Sequence, residues 1–166
     1  VNDAPTGTRT AVTILEDRPY VFQASDFGFT DANDAPANAF AAVVIGDLPL
    51  AGSMLLDGQA VIAGQRVTVA DITAGLLRFV PPANANGNAY ASFTFQVQDD
   101  GGTANGGVDT DPTVRAFTID VTSVNDAPTG ASAAVTTLED TPYAFQVSDF
   151  GFADADDATA NAFSAI

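Results

Sequence analysis

The chain repeats itself, and this limits what it can fold into more than anything else in the sequence. Val1-Asn2-Asp3-Ala4-Pro5-Thr6-Gly7 returns unchanged as Val124-Asn125-Asp126-Ala127-Pro128-Thr129-Gly130, a displacement of 123 positions. The match then runs on without a gap. Leu15-Glu16-Asp17 becomes Leu138-Glu139-Asp140, Ser25-Asp26-Phe27-Gly28-Phe29 becomes Ser148 to Phe152, and Asn38-Ala39-Phe40 becomes Asn161 to Phe163. About three residues in four agree. Self-similarity at a fixed long period is the mark of a repeat architecture. The chain therefore reads as one full repeat, 1–123, followed by a joint and the first third of the next, 124–166. One period can also be cut as 44–166, which leaves a folding unit straddling the boundary as an alternative. A chain that starts and stops inside a repeat is expected to be part of something longer.

Charge narrows the partners. There are 21 acidic residues against 5 basic ones, a net charge of -16. Every base is Arg, and every acid but Glu16 and Glu139 is Asp. Nucleic acid calls for a basic surface, so neither it nor an anionic membrane is expected as a partner. Clustered carboxylates favour cations instead. The chain has no Cys and no His, which removes Ser-His-Asp and Cys-His catalysis. The longest apolar run, Ala39 to Ile45, is too short to cross a bilayer. Any targeting signal would lie outside this window.

Hydrophobic residues alternate with a period of two. Ala91, Phe93, Phe95 and Val97 share one face of a segment from Tyr90 to Gln98, and Phe117, Ile119 and Val121 share one face of Val114 to Val121. Such alternation predicts strands with one buried face. Further strands are expected at Ala11–Leu15, Tyr20–Ala24, Phe40–Ile45, Ser53–Leu56, Ala60–Ile62, Arg66–Val69 and Leu76–Val80, with at most a helical turn over Ala70–Gly75. Asp57-Gly58 and Asn86-Gly87 suit the positive-φ positions of turns. Short strands spaced by such turns predict an all-β, antiparallel sandwich of the cadherin or immunoglobulin kind. Twelve Phe and no Trp would suit a core of stacked and edge-on rings.

The acids gather where the strands end. The groups are Asp26, Asp31 and Asp34, repeated as Asp149, Asp154, Asp156 and Asp157; Asp99-Asp100 before Gly101-Gly102; Asp109 and Asp111; Asn2-Asp3 and Asn125-Asp126; and Glu16-Asp17 with Glu139-Asp140. Two unit charges about 4 Å apart repel by roughly 4 kcal/mol at an effective dielectric near 20. A hard divalent cation removes that cost, and calcium takes six to eight oxygens from Asp, Glu, Asn and backbone carbonyls. Without Cys or His, zinc is not indicated. Asp47, Asp57 and Asp71 need only their turn-forming role.

Val-Asn-Asp-Ala-Pro at a repeat joint resembles the Asp-x-Asn-Asp-Asn-x-Pro linker of cadherins. Asp154-Ala155-Asp156 with Asn161 downstream is similar to the cadherin Asp-x-Asp segment and its following Asn, and Asp99-Asp100-Gly101-Gly102 resembles the Asp-Gly-Gly segment near the penultimate strand. The recurrence of Leu15 to Tyr20, Asp26 to Phe29, Asn84 to Gly87 and Val124 to Thr129 in one unit resembles the cadherin-like tandem repeats of giant RTX-type bacterial surface adhesins. That resemblance implies an extracellular extender module in a biofilm-type cell adhesion protein, whose partners are calcium ions and the neighbouring repeats of its own chain. It implies that Glu16 of one repeat, with Asn125, Asp126, Asp154 and Asp156 of the next, hold an ion at the joint. Asp3, Asp31, Asp34, Asp99 and Asp100 are the corresponding metal candidates in the first repeat. Ser123 stands where cadherins place the first linker Asp, Ala127 where they place an Asn, and Asn33 where the second repeat has Asp156. The Gly-rich nonapeptides that name RTX proteins are absent here.

Three functions compete at this point. One is a calcium-stiffened spacer that projects a distal binding domain. Another is a module that binds sugar or a second copy of itself, with Tyr20, Tyr90 or Tyr143 stacking on a ring. An enzyme with a carboxylate pair is the third, and nothing marks one pair as special, so no catalytic residue is assigned.

Overall fold

The computed structural model describes residues 1–165. Tertiary contacts divide the chain after Thr122, one residue before the boundary expected from the repeat.

The first unit is a two-layer sandwich. One sheet holds five strands in the order β1-β9-β8-β3-β6 and the other four in the order β2-β7-β4-β5, where β1 is Thr10–Leu15, β2 Tyr20–Val21, β3 Phe40–Ile45, β4 Ser53–Leu56, β5 Gln59–Ala60, β6 Arg66–Thr68, β7 Leu77–Val80, β8 Gly87–Asp99 and β9 Arg115–Thr122. The helical turn is Val69–Thr73, capped by the Thr68 hydroxyl accepting the Asp71 N–H. Asp57 and Gly58 take positive φ as their sequence requires, but at the other turn the positive-φ residues are Asn84, Gly87 and Ala89 rather than Asn86.

The alternating faces point inward as expected. Phe93, Phe95, Phe117 and Ile119 are fully buried, as are Phe22 and Phe27. Phe93 and Phe117 stack at 5.0 Å between ring centroids, and Phe22 meets both edge-on. Phe27 stands edge-on to Phe95 at 5.0 Å. Aromatic pairs favour both arrangements, which explains how so many rings fill one thin layer.

Phe27 is delivered by the Ser-Asp-Phe-Gly motif. Residues Ala24–Phe27 form one 3₁₀ turn, opened by the Asp26 carboxylate accepting the Gln23 N–H at 2.7 Å and closed by Gly28 at φ 54°. A Cβ on Gly28 would fall 2.7 Å from Thr8 Cβ, so this position needs glycine for its left-handed backbone and for space.

One pairing departs from the expected antiparallel sheet. β1 runs parallel to β9, with Thr10 opposite Phe117 and Leu15 opposite Thr122. A parallel pair needs a long crossover between its strands, and here the crossover is the rest of the sandwich. The consequence is that the first and last strands point the same way, so the unit begins at one pole and ends at the other. β8 links the poles: Gly87 lies opposite Val121 near the exit, and Asp99 lies at the end where the chain enters. Thirteen residues at about 3.3 Å each make that separation roughly 40 Å.

The second unit begins at Ser123. Its 3₁₀ turn, Val147–Phe150 with Gly151 at φ 53°, copies the first, and a Thr129–Ala153 bridge copies Thr6–Thr30. No regular strand forms among its described residues. The strands that pair with β1 and β2 in the first unit, β9 and β7, have no counterpart within residues 124–166. Accordingly Phe145, the equivalent of buried Phe22, is 67% exposed.

Candidate metal centre

At the entering pole of the first unit, three distant segments converge on one polar cradle. Asp99 is the last residue of β8 and continues the inward phase of Ala91, Phe93, Phe95 and Val97, so its carboxylate is buried with the core side chains. Asn2 donates its Nδ2 to Asp99 Oδ1 at 3.1 Å and to the Val108 carbonyl at 2.8 Å. Asn38 donates its side-chain amide to Asn2 Oδ1 and, at 2.9 Å, to Asp34 Oδ2. Its backbone N–H donates to Asp31 Oδ2 at 2.5 Å, and the Asp3 N–H donates to Asp34 at 3.0 Å.

Two features of the cradle are costly as they stand. Asp31 is only 8% exposed, and its Oδ1 is buried with no hydrogen-bond partner. A buried polar atom left unpaired costs about 1–3 kcal/mol, and more if it is charged. Asp99 is 3% exposed. Burial pushes its carboxyl above the usual range against the lowering effect of bonds from Gly101 N–H and Asn2, and the charges of Asp31 and Asp109 push the same way. Asp31 and Asp99 are thus both buried, and the charge of the first is felt at the second.

The lack of a side chain at Gly101 makes room for the Asn2 and Asn38 carboxamides, since a Cβ built there would land on them. Among the described residues no three acidic side chains form a ready-made metal cluster. The cradle is instead lined by the Asp31, Asp34 and Asp99 carboxylates and the Asn2 and Asn38 carboxamides, bonded to one another and to backbone N–H groups.

The second unit carries the same network. Asn161 N–H donates to Asp154 Oδ2 at 2.6 Å, its Nδ2 donates to Asn125 Oδ1 at 2.6 Å and Asp157 Oδ2 at 2.7 Å, and the Asp126 N–H donates to Asp157 Oδ1 at 2.7 Å. Asp154 is 7% exposed, close to the 8% of Asp31. Asp156 lies exposed, and Asp157 fills the role of Asp34. Residues 124–166 hold no counterpart of Asp99.

The remaining candidates are placed elsewhere. Asp3 is exposed, and Asp100 is exposed with Oδ1 accepting the Ala39 N–H at 2.8 Å, where it starts β3. Glu16 is buried at the opposite pole, accepting from Asn86 Nδ2 at 3.1 Å. Asp111 is a structural acid. Burial would raise its carboxyl, but the Arg115 guanidinium at 2.9 Å and the N–H groups of Gly7 and Thr113 hold it below the usual range.

Of the three tyrosines, Tyr143 is exposed and the other two are not. Tyr20 is half-buried and tied to Asp26 at 2.9 Å, and Tyr90 is half-buried against the core. A groove of about 340 Å³ between Pro19, Leu55, Asp57, Leu76, Arg78 and Val80 contains no tyrosine. Among the described residues no helix is long and apolar enough to cross a membrane.

No curated protein and no solved structure matches the chain. A family description does match, covering residues 2–111, from the Asn of the cradle through β8 to Asp111. The matched stretch holds every strand of the sandwich except β9, and the chain belongs to the bacterial Ig domain family.

Proposed function

We propose that this chain is a spacer repeat of a bacterial cell-surface adhesion protein, and that calcium bound in the entering-pole cradle of each repeat stiffens the array. The observation that carries this reading is the repeated network itself. Asn2, Asp31, Asp34 and Asn38 recur as Asn125, Asp154, Asp157 and Asn161 with the same bonds, and the acid at its centre has a buried oxygen with no partner. Turn formation alone does not call for such an atom.

The mechanism is a loss of linker freedom. Asn2 and Asn125 belong to the linker heptapeptide and to the cradle at once. Only Ser123 and Val124 separate the end of β9 from Asn125. An ion that holds Asn125 and its neighbours leaves two residues to bend. Extracellular calcium modules bind at roughly 10⁻⁴ to 10⁻³ M, which suits an external medium and not cytosol.

Small-angle scattering from a tandem of several repeats tests this. Calcium is expected to give a longer maximum dimension and a narrower distribution than chelator does. Superimposable profiles in the two conditions would refute the stiffening role.

A further inference from the structure

We infer that Asn105 is a spontaneous deamidation site of this chain, and that its conversion unlatches the loop that holds the linker. The sequence has two Asn-Gly pairs, Asn86-Gly87 and Asn105-Gly106. Glycine offers the least hindered backbone nitrogen to a preceding side-chain amide, so both are chemically susceptible. The structure separates them.

Asn105 is exposed at the tip of a tight turn, at φ 56° and ψ 29°, followed by Gly106 at φ 84°. Its carboxamide takes no hydrogen bond among the described residues. Asn86 is half-buried, and its Nδ2 is held by the Glu16 carboxylate at 3.1 Å. For Asn86 to react, that charge-assisted bond must first break. Its usual strength slows the reaction roughly ten- to a hundredfold relative to a free side chain.

The chemistry balances with water as the co-reactant. The Gly106 nitrogen attacks Asn105 Cγ, a C–N bond forms, the Cγ–Nδ2 bond breaks, and the nitrogen's proton leaves with ammonia. Water then opens the five-membered imide at either carbonyl. One opening gives Asp, and the other gives isoaspartate, in which the main chain runs through the former side chain and is one carbon longer. There is no change of oxidation state.

The location makes the product consequential. The turn is closed by Gly107 N–H donating to Ala104 O at 3.0 Å. Directly after it, Val108 N–H donates to Asn2 O at 3.0 Å and Val108 O accepts from Asn2 Nδ2. Gly107 is buried so closely against Asn2 that an added Cβ would lie 3.0 Å from Asn2 Cβ. An extra backbone carbon at position 105 cannot keep this turn and this contact together. The latch on Asn2 therefore loosens as the protein ages. This follows from the fold alone and holds whether or not a cation occupies the cradle.

Peptide mapping by mass spectrometry, on the full chain incubated at mildly alkaline pH, tests the inference. Asn105 is expected to convert roughly ten- to a hundredfold faster than Asn86, with isoaspartate among the products. The N105Q variant is expected to lose the fast phase of ammonia release. Equal or faster conversion at Asn86, or a fast phase that survives in N105Q, overturns the assignment. Hydrogen exchange of the Val108 amide in the isolated isoaspartyl form is expected to be faster than in the unmodified chain. Unchanged exchange overturns the unlatching.

Discussion

Substituting Asp31→Asn separates a metal ligand from a structural acid, because the two roles predict opposite signs. In the folded chain Asp31 Oδ2 accepts the Asn38 N–H while Oδ1 is buried without a partner. An asparagine keeps the acceptor for Asn38 and removes one of two buried charges. Without divalent cation, the unpaired-atom cost of about 1–3 kcal/mol falls on a neutral group, and the variant should gain about 1 kcal/mol. With calcium the balance reverses. At 10 mM ion and a Kd near 10⁻⁴ to 10⁻³ M, binding stabilises the wild type by about 1.4–2.7 kcal/mol. A shift of about 4 °C per kcal/mol in a unit of this size makes that roughly 5–10 °C, most of which the variant forfeits. Thermal unfolding of both proteins in EDTA and in calcium reads this directly, and the order of the two midpoints should invert between buffers. An Asp31→Asn midpoint lowered equally in both would show that the carboxylate is only structural and would refute the cation argument.

Other substitutions follow from the same geometry. Gly101→Ala places a methyl on the Asn2 and Asn38 carboxamides; it should cost about 1–3 kcal/mol by chemical denaturation and weaken calcium binding by titration calorimetry. Arg115→Met leaves the buried Asp111 carboxylate without its cation, and a loss of about 3 kcal/mol is expected by denaturant unfolding. Because Asp111 titrates below its usual 3.8 in the folded chain, its contribution is complete above that value and is lost as pH falls through the lower folded value. Wild type should therefore lose stability below about pH 4, and Arg115→Met should lose less over that window. Tyr20→Phe removes the hydroxyl donated to Asp26 at 2.9 Å and should cost about 1 kcal/mol in thermal unfolding.

Much of the cradle was legible in the sequence, though not all for the right reason. Asp99 announces itself by phase, since an acid at the fifth inward position of an apolar alternation has no business there without a partner or an ion. Asp31 and Asp34 were found through clustering. Asn2 and Asn38 carry as many contacts as the acids, yet an argument from charge passes over a carboxamide. The choice between Asp156 and Asp157 could have been made from the repeat. Position 34 and its copy 157 are both Asp, whereas position 33 is Asn and its copy 156 is Asp, so the position that tolerates exchange is the exposed one. The parallel β1–β9 pairing was out of reach, because period-two alternation fixes which face is buried and says nothing about strand direction. The second unit's missing strands have a similar cause: the residues have the pattern, but a strand needs a neighbour to bond to.

The pairing of β1 with β9 and the composition of the cradle belong to one argument. Asn2 and Asp99 are 97 residues apart in sequence, so the cradle exists only when the sandwich has folded, and an ion bound there stabilises the fold by the same free energy. Because Asn2 is also a linker residue, that free energy acts on the linker, where the chain has its bending freedom. Had β1 run antiparallel to β9, the start and finish of the unit would share a pole. The parallel pairing instead puts the cradle of the first unit at the pole opposite the end of β9, and only Ser123 and Val124 separate that end from Asn125.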